Sequence, residues 1–277
     1  MKERKLSHPV EFRWDLPADG FRWEKTSSLP FGARGEKDWY LIEQRRPPFR
    51  MKFYKPLEMF SGLFRTFAAL DPSRESILEF ANSYGFLGEP ITERVILPAA
   101  TKAKATADGE SITRWKGEIT ALRRVVELWD ALIRGDVEKL KTVIKWKDGR
   151  VQYVEGAWMA GPDINPDIYA RFAPPDVTQP AWYALQDATN RCMGERASTP
   201  RLLWNAGGHL RVFVVPQTLI AAIWIQFAFA IGSDYAYKTC KTCGRWFQVG
   251  PGADMRLDAR YCSNACRQKS YREEKSK

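Results

Sequence analysis

Four of the five cysteines in this 277-residue chain stand near its end as Cys240-x2-Cys243 and Cys262-x3-Cys266, with eighteen residues between the pairs. Each short pair closes around one side of a metal, and a loop of that length returns the chain to the other side. The spacing therefore predicts a tetrahedral site with Cys240, Cys243, Cys262 and Cys266 as ligands. One structural Zn2+ is the expected cofactor, because four protein ligands leave no open position for water or substrate. Gly244 follows Cys243 directly and lets the backbone turn so that amide N–H groups point at the thiolates, the habit of a zinc knuckle. Two disulfides and a redox-active Cys-x-x-Cys are the competing readings. A cytosolic setting disfavours the first, and the absence of a neighbouring βαβ pattern disfavours the second. Four thiolates around Zn2+ leave a local charge of −2, and Lys241, Arg245, Arg260 and Arg267 are near enough in sequence to offset it. Metal binding then folds the segment, a contribution of about 10–16 kcal/mol in zinc-finger peptides. Cys192 is left over and fits a small buried apolar position on a helix.

A chain of this length does not depend on a metal alone. At 44% hydrophobic, 13% aromatic and 27% charged residues it has the composition of a globular protein with a real core, not of a disordered, collagenous or disulfide-dense one. Its formal charge of +10 makes a polyanion a natural partner. That charge sits at the two ends. Residues 1–56 carry 13 basic and 8 acidic side chains, and residues 238–277 carry 10 and 4, while residues 57–237 are nearly neutral with 20 and 21. The expected organisation is a β-rich basic N-terminal extension over 1–56, a mainly helical α+β domain over 57–237, and a four-cysteine zinc finger with a basic C-terminal helix over 238–277. Surface solvation is the bland alternative for the N-terminal charge.

The opening Met1-Lys-Glu-Arg-Lys-Leu-Ser-His is charged and no apolar stretch follows it, so the expected location is the cytoplasm. The longest apolar run, Leu219 to Ile231, has thirteen residues broken only by Gln226, whereas a bilayer span needs about 20. It reads as a helix buried in a core, and no membrane partner is expected.

Trp39-Tyr-Leu-Ile-Glu and Phe49-Arg-Met-Lys-Phe-Tyr are β-prone, with turn signals at Pro17-Ala18-Asp19-Gly20 and Pro47-Pro48. Asp71-Pro72 reads as the start of a helix running through Ile77, Phe80 and Tyr84 to a stop at Gly85. Between Ser111 and Gly135 the residues Ile112, Trp115, Ile119, Leu122, Val126, Trp129 and Ile133 recur every three or four positions, a core-facing stripe and not a cofactor box. Asp136 can cap a further helix, and Asp148-Gly149 marks a tight hairpin. Gly161 to Pro180 reads as an exposed loop whose Asp163, Asp167 and Asp176 solvate and cap. A helix from about Pro180 to Arg196, a hairpin around Ala206-Gly-Gly and the apolar helix follow, and residues 232–239 form a short junction. Helices with inserted hairpins give an α+β fold.

After the second cysteine pair, Ser263 can N-cap a helix with Cys266 in its first turn. At about 100° per residue, Asn264, Arg267, Gln268, Tyr271, Arg272 and Lys275 share an arc of roughly 140°, and Cys266 points almost the opposite way. A helix held to a metal on one side and presenting Arg, Asn, Gln and Tyr on the other has the donors used for phosphate contact and base reading. DNA is the leading partner, with RNA a near relative. The alternative is a protein-interaction module in which the finger is a structural clasp and Tyr271 and the arginines are anchors. An enzyme is not expected and no catalytic residue is assigned: the chain has only His8 and His209, no defensible nucleophile triad and no phosphate-binding loop. Glu118 and Glu127 are the carboxylates left to form an acid/base pair, and helix-surface glutamates are usually just solvated.

Knuckle, hairpin loop, then a helix carrying the last ligands is the treble-clef order. Cys240-Lys-Thr-Cys-Gly-Arg-Trp-Phe and Arg260-Tyr-Cys-Ser-Asn-Ala-Cys-Arg-Gln-Lys-Ser-Tyr-Arg resemble the C-terminal zinc fingers of bacterial ABATE and CGNR zinc-finger proteins, presumed transcriptional regulators. The motif match covers residues 238–273, and upstream only the order of helices and hairpins is similar. Where that family reads Cys-Gly-Asn-Arg at its last ligand, this chain has Cys266-Arg267-Gln268-Lys269. The resemblance implies a regulator whose body senses a small-molecule signal or a protein partner while the finger contacts DNA.

Overall fold

The structure, a computed structural model, describes residues 12–27, 37–44, 50–89, 92–96, 106–154, 171–195, 198–204, 210–233, 235–253 and 255–275. The aromatic N-terminal part forms strands β1 (Trp14–Pro17), β2 (Phe21–Ser27), β3 (Lys37–Glu43) and β4 (Met51–Tyr54). The turn at Ala18-Asp19-Gly20 does not pair its flanking strands. It is a corner between two sheets: β1 pairs with β4, while β2 joins a four-stranded antiparallel sheet in the order β2-β3-β6-β5, completed by β5 (Thr92–Ile96) and β6 (Thr106–Ser111). Side chains alternate across that sheet, so Phe21 and Leu41 enter the main core while Tyr40, Ile42 and Val95 cluster on the other face.

Helices α1 (Pro56–Met59), α2 (Leu63–Ala68), α3 (Arg74–Tyr84) and α4 (Ile112–Arg134) supply the next layer. The start of α3 differs from the sequence expectation. Ser73 is the N-cap, its Oγ accepting from the Ser76 N–H at 3.3 Å, and Asp71-Pro72 lie before it. Helix α4 begins at the Ser111 cap and ends at Gly135, as its spacing predicts. Trp115, Ile119, Leu122, Val126 and Trp129 are buried, each fully buried apolar side chain stabilising by about 1.5–3 kcal/mol. Ile133, the last member of the stripe, is instead 57% exposed, because in the final turn the core lies under Leu132.

Asp136 caps α5 (Val137–Val143), accepting from the Lys139 N–H at 3.0 Å. Strands β7 (Ile144–Lys147) and β8 (Arg150–Tyr153) then close on Asp148 and Gly149, both at positive φ as a tight primed turn requires. Asp163, Asp167 and the first half of the proline-punctuated loop lie outside the described residues, as do Pro47-Pro48, His8, His209 and the Ala206-Gly-Gly turn. Asp176 does cap: its Oδ1 accepts from the Thr178 N–H at 2.7 Å at the start of α6 (Thr178–Glu195). Strands β9 (Ser198–Trp204) and β10 (Leu210–Pro216) pair antiparallel and lead into α7 (Leu219–Ile231), which is buried along nearly its whole length. Among the described residues no helix is long and apolar enough to cross a membrane. The architecture is α+β, and Phe12, Phe21 and Leu41 from the N-terminal part share one core with α2, α4, α6 and α7.

The segment read as a plain junction contains a strand, β11 (Ala236–Thr239), paired with β12 (Trp246–Val249), and α8 (Asn264–Lys275) ends the described chain. This C-terminal unit leans on the turn between α1 and α2. The Trp246 backbone packs on Gly62, the Gln248 N–H donates to Ser61 Oγ at 3.4 Å, and the Arg245 guanidinium lies 5.3 Å from the Phe60 ring centre. Arg65 joins the two parts. It binds Asp130 of α4 through both terminal nitrogens at 3.0 and 2.7 Å, and its guanidinium lies 5.0, 5.2 and 5.4 Å from the rings of Trp129, Trp246 and Tyr237. Gln226, the one polar residue in α7, binds this turn at two points. Its Oε1 accepts from the Phe64 N–H at 3.0 Å, and its Nε2 donates to the Phe60 carbonyl at 2.7 Å. It therefore holds from below the same turn on which the C-terminal unit rests.

Candidate metal centre

The knuckle is built by backbone hydrogen bonds that the sequence makes possible. The Cys240 N–H donates to the Arg245 carbonyl at 2.8 Å, the Gly244 N–H returns to the Cys240 carbonyl at 2.9 Å, and Gly244 sits at φ +70°, where a side chain is strained. The second pair is set by α8. Ser263 Oγ accepts from the Cys266 N–H at 3.2 Å, which fixes Cys266 in the first turn, and Thr242 Oγ1 donates to the Cys266 carbonyl at 2.9 Å to tie knuckle to helix. The Lys241 N–H donates to the Arg260 carbonyl at 3.0 Å and draws the two halves together. Phe247 and Val249 of β12 form a small core beneath them with Met255, Ala259 and Tyr261 alongside.

The result is four sulfur atoms within 4.8 Å of one another. Cys243 Sγ and Cys266 Sγ each lie 3.6 Å from Cys262 Sγ. A tetrahedral ion with bonds of about 2.3 Å to sulfur spaces its ligands by about 3.8 Å, so the cage has the size of one such metal. Free thiols packed this closely oppose each other's ionisation. Burial pushes the Cys262 thiol up, and the neighbouring thiols of Cys243, Cys266 and Cys240 push it further. Cys243 is raised first by burial as well. Burial also raises Cys240, but main-chain N–H groups of Cys262, Cys243 and Thr242 outweigh it and pull this thiol down to about 6. The backbone thus favours the Cys240 thiolate, and a cation at the centre would offset what raises Cys243 and Cys262. The donor set fits a metal ion, which all four cysteines could hold together.

Opposite the thiols, α8 has no buried residue. Asn264, Arg267, Gln268, Arg272 and Lys275 are exposed, Tyr271 is 58% exposed, and Lys275 Nζ sits 4.8 Å above the Tyr271 ring. Arg267, Gln268, Tyr271 and Arg272 line a shallow outward-facing hollow. All six residues of the sequence-derived arc are exposed, and Cys266 lies in the thiol cage. Arg245, expected to offset the cluster charge, stacks on Phe60 beside the knuckle. Cys192 is fully buried, away from the other thiols. Glu118 and Glu127 do not converge: nine residues apart on α4, they are half a turn out of phase. The docking of this unit on the body through Gly62, Arg65 and Gln226 is the part that sequence reasoning missed, and the only visible signal was a glutamine inside an apolar run. Comparison of the chain with protein-family models, with curated proteins and with solved structures finds no match.

Proposed function

We propose that the protein is a zinc-dependent nucleic-acid-binding protein, and that it acts as a DNA-binding transcriptional regulator of the ABATE and CGNR zinc-finger kind. The observation that carries the reading is the two-sidedness of α8, with Cys266 in the thiol cage and Asn264, Arg267, Gln268, Tyr271, Arg272 and Lys275 turned to solvent. Zinc, when bound, supplies the cross-link that holds this short helix at a fixed angle on its knuckle. Arg267, Arg272 and Lys275 then meet phosphates, while Asn264 and Gln268 carry the amide groups that read base edges. Tyr271 offers a ring for stacking.

Three phosphate contacts imply that log K falls with log[salt] at a slope of about −2.7. The test is binding of the full zinc-loaded chain to duplex DNA across a salt series. Replacing Arg267 and Arg272 together by Ala should shallow that slope by about 2. An unchanged slope in the double variant contradicts the assignment. Competition by structured RNA separates the two nucleic acids.

A further inference from the structure

Helix α6 distributes its apolar residues against the usual economy of an amphipathic helix. Its buried side carries Leu185 among mostly small groups, Ala181, Ala184, Ala188 and Cys192, while Trp182 is left 41% exposed on the other side. That outer side forms one wall of a cavity of about 550 Å3, a size suited to a small organic ligand. Phe172 and Tyr183 add two more aromatic walls, their ring centres 6.1 Å apart and tilted by 57°. Ile231, at the end of α7, contributes to the floor. The polar lining is mixed, with amides from Gln179 and Asn190 and a hydroxyl from Thr189 of α6. Among the described residues Arg171 is the one charged side chain in the lining, no carboxylate is present there, and Gln186 supplies an amide from the wall. The nearest acid on α6, Asp187, is held by Arg191.

Three aromatic walls select a flat apolar body, and the Arg171 guanidinium beside them selects a negative charge. We propose that this cavity binds a small aromatic monoanion, with its ring against Trp182 and Tyr183 and its carboxylate on Arg171. The site is distinct from the thiol centre and stands whether or not α8 contacts a nucleic acid.

The test uses calorimetric titration of the full zinc-loaded chain with 1-naphthylacetate and with its uncharged analogue, 1-naphthylacetamide. One saturable site is expected, with the acid bound about tenfold more tightly than the amide, the effect of one charge-assisted contact at an open site. Arg171→Ala should abolish that preference and leave the amide affinity unchanged, while Trp182→Ala should weaken both probes. Arg171 is exposed, so its variant keeps the fold even where Trp182→Ala does not. Absence of saturable binding of the acid, equal affinity for acid and amide, or a preference that survives Arg171→Ala overturns the proposal.

Discussion

Gly62→Ala isolates the contact on which the unit with the thiol cage rests. Gly62 lies at φ −119°, a conformation open to any residue, so adding a methyl group brings no backbone strain and its effect is purely one of space. That space is absent. The added carbon overlaps the Trp246 β-carbon and stands 2.9 Å from the Trp246 carbonyl carbon and 3.0 Å from its oxygen. Two of these atoms are backbone of β12, so no side-chain rotation relieves the overlap, and β12 must move away from the α1–α2 turn. Overpacking of this kind costs about 1–3 kcal/mol, and the displacement also weakens the Gln248–Ser61 hydrogen bond and the stacking of Arg65 on Trp246. Urea unfolding of the zinc-loaded protein reads the loss, and hydrogen exchange at the amides of β11 and β12 shows where it falls. Gly117→Ala is the matched control, since Gly117 sits inside α4 with open space around it and should gain about 0.5–1 kcal/mol from helix propensity. Equal stability of Gly62→Ala and wild type, with unchanged exchange in β12, refutes the docking geometry.

Two more perturbations test the body. Glu110 is fully buried, and burial raises its carboxyl from 4.5 to about 7 against the Gly88, Leu87 and Thr92 hydrogen bonds that favour ionisation. The folded state therefore holds this proton more tightly than the unfolded chain, so stability falls as pH rises from about 4.5 to about 7 and levels off above that. The span corresponds to about 3 kcal/mol; Glu110→Gln should remove that slope in urea unfolding between about pH 5 and 8, and identical pH dependence in both proteins refutes it. Arg65→Ala leaves Asp130 without its bidentate partner and three aromatic rings without their cation, so a loss of about 2–4 kcal/mol is expected in thermal unfolding. Restoration by Arg65→Met with Asp130→Leu supports the pairing, and a neutral Arg65→Ala contradicts it.

What the sequence made legible was local. Ser111 and Gly135 bound α4 because a serine cap and a glycine stop act within one turn, and Asp148-Gly149 closes β7 on β8 because both residues tolerate positive φ. The thiol spacing worked for the same reason: knuckle and helix start are each set by bonds reaching only a few residues. Strand β6 was not legible, since Thr-Ala-Asp-Gly-Glu-Ser carries weak β propensity and owes its place to pairing with β3 and β5, and β5, though Thr92, Val95 and Ile96 favour a strand, joins the sheet only through β6. The seating of Trp246 on Gly62 and the reach of Gln226 to Phe60 and Phe64 join residues more than 150 positions apart, a distance no periodicity spans. The Gln226 anomaly was visible, but its partners were not.

Elemental analysis of the purified 277-residue chain bears most directly on the central claim. One zinc ion per chain is expected in the wild-type protein, and Cys240→Ser combined with Cys262→Ser should retain none while the hydrogen-exchange protection of α8 is lost. A metal-free wild type, or metal kept in full by the double variant, contradicts the account.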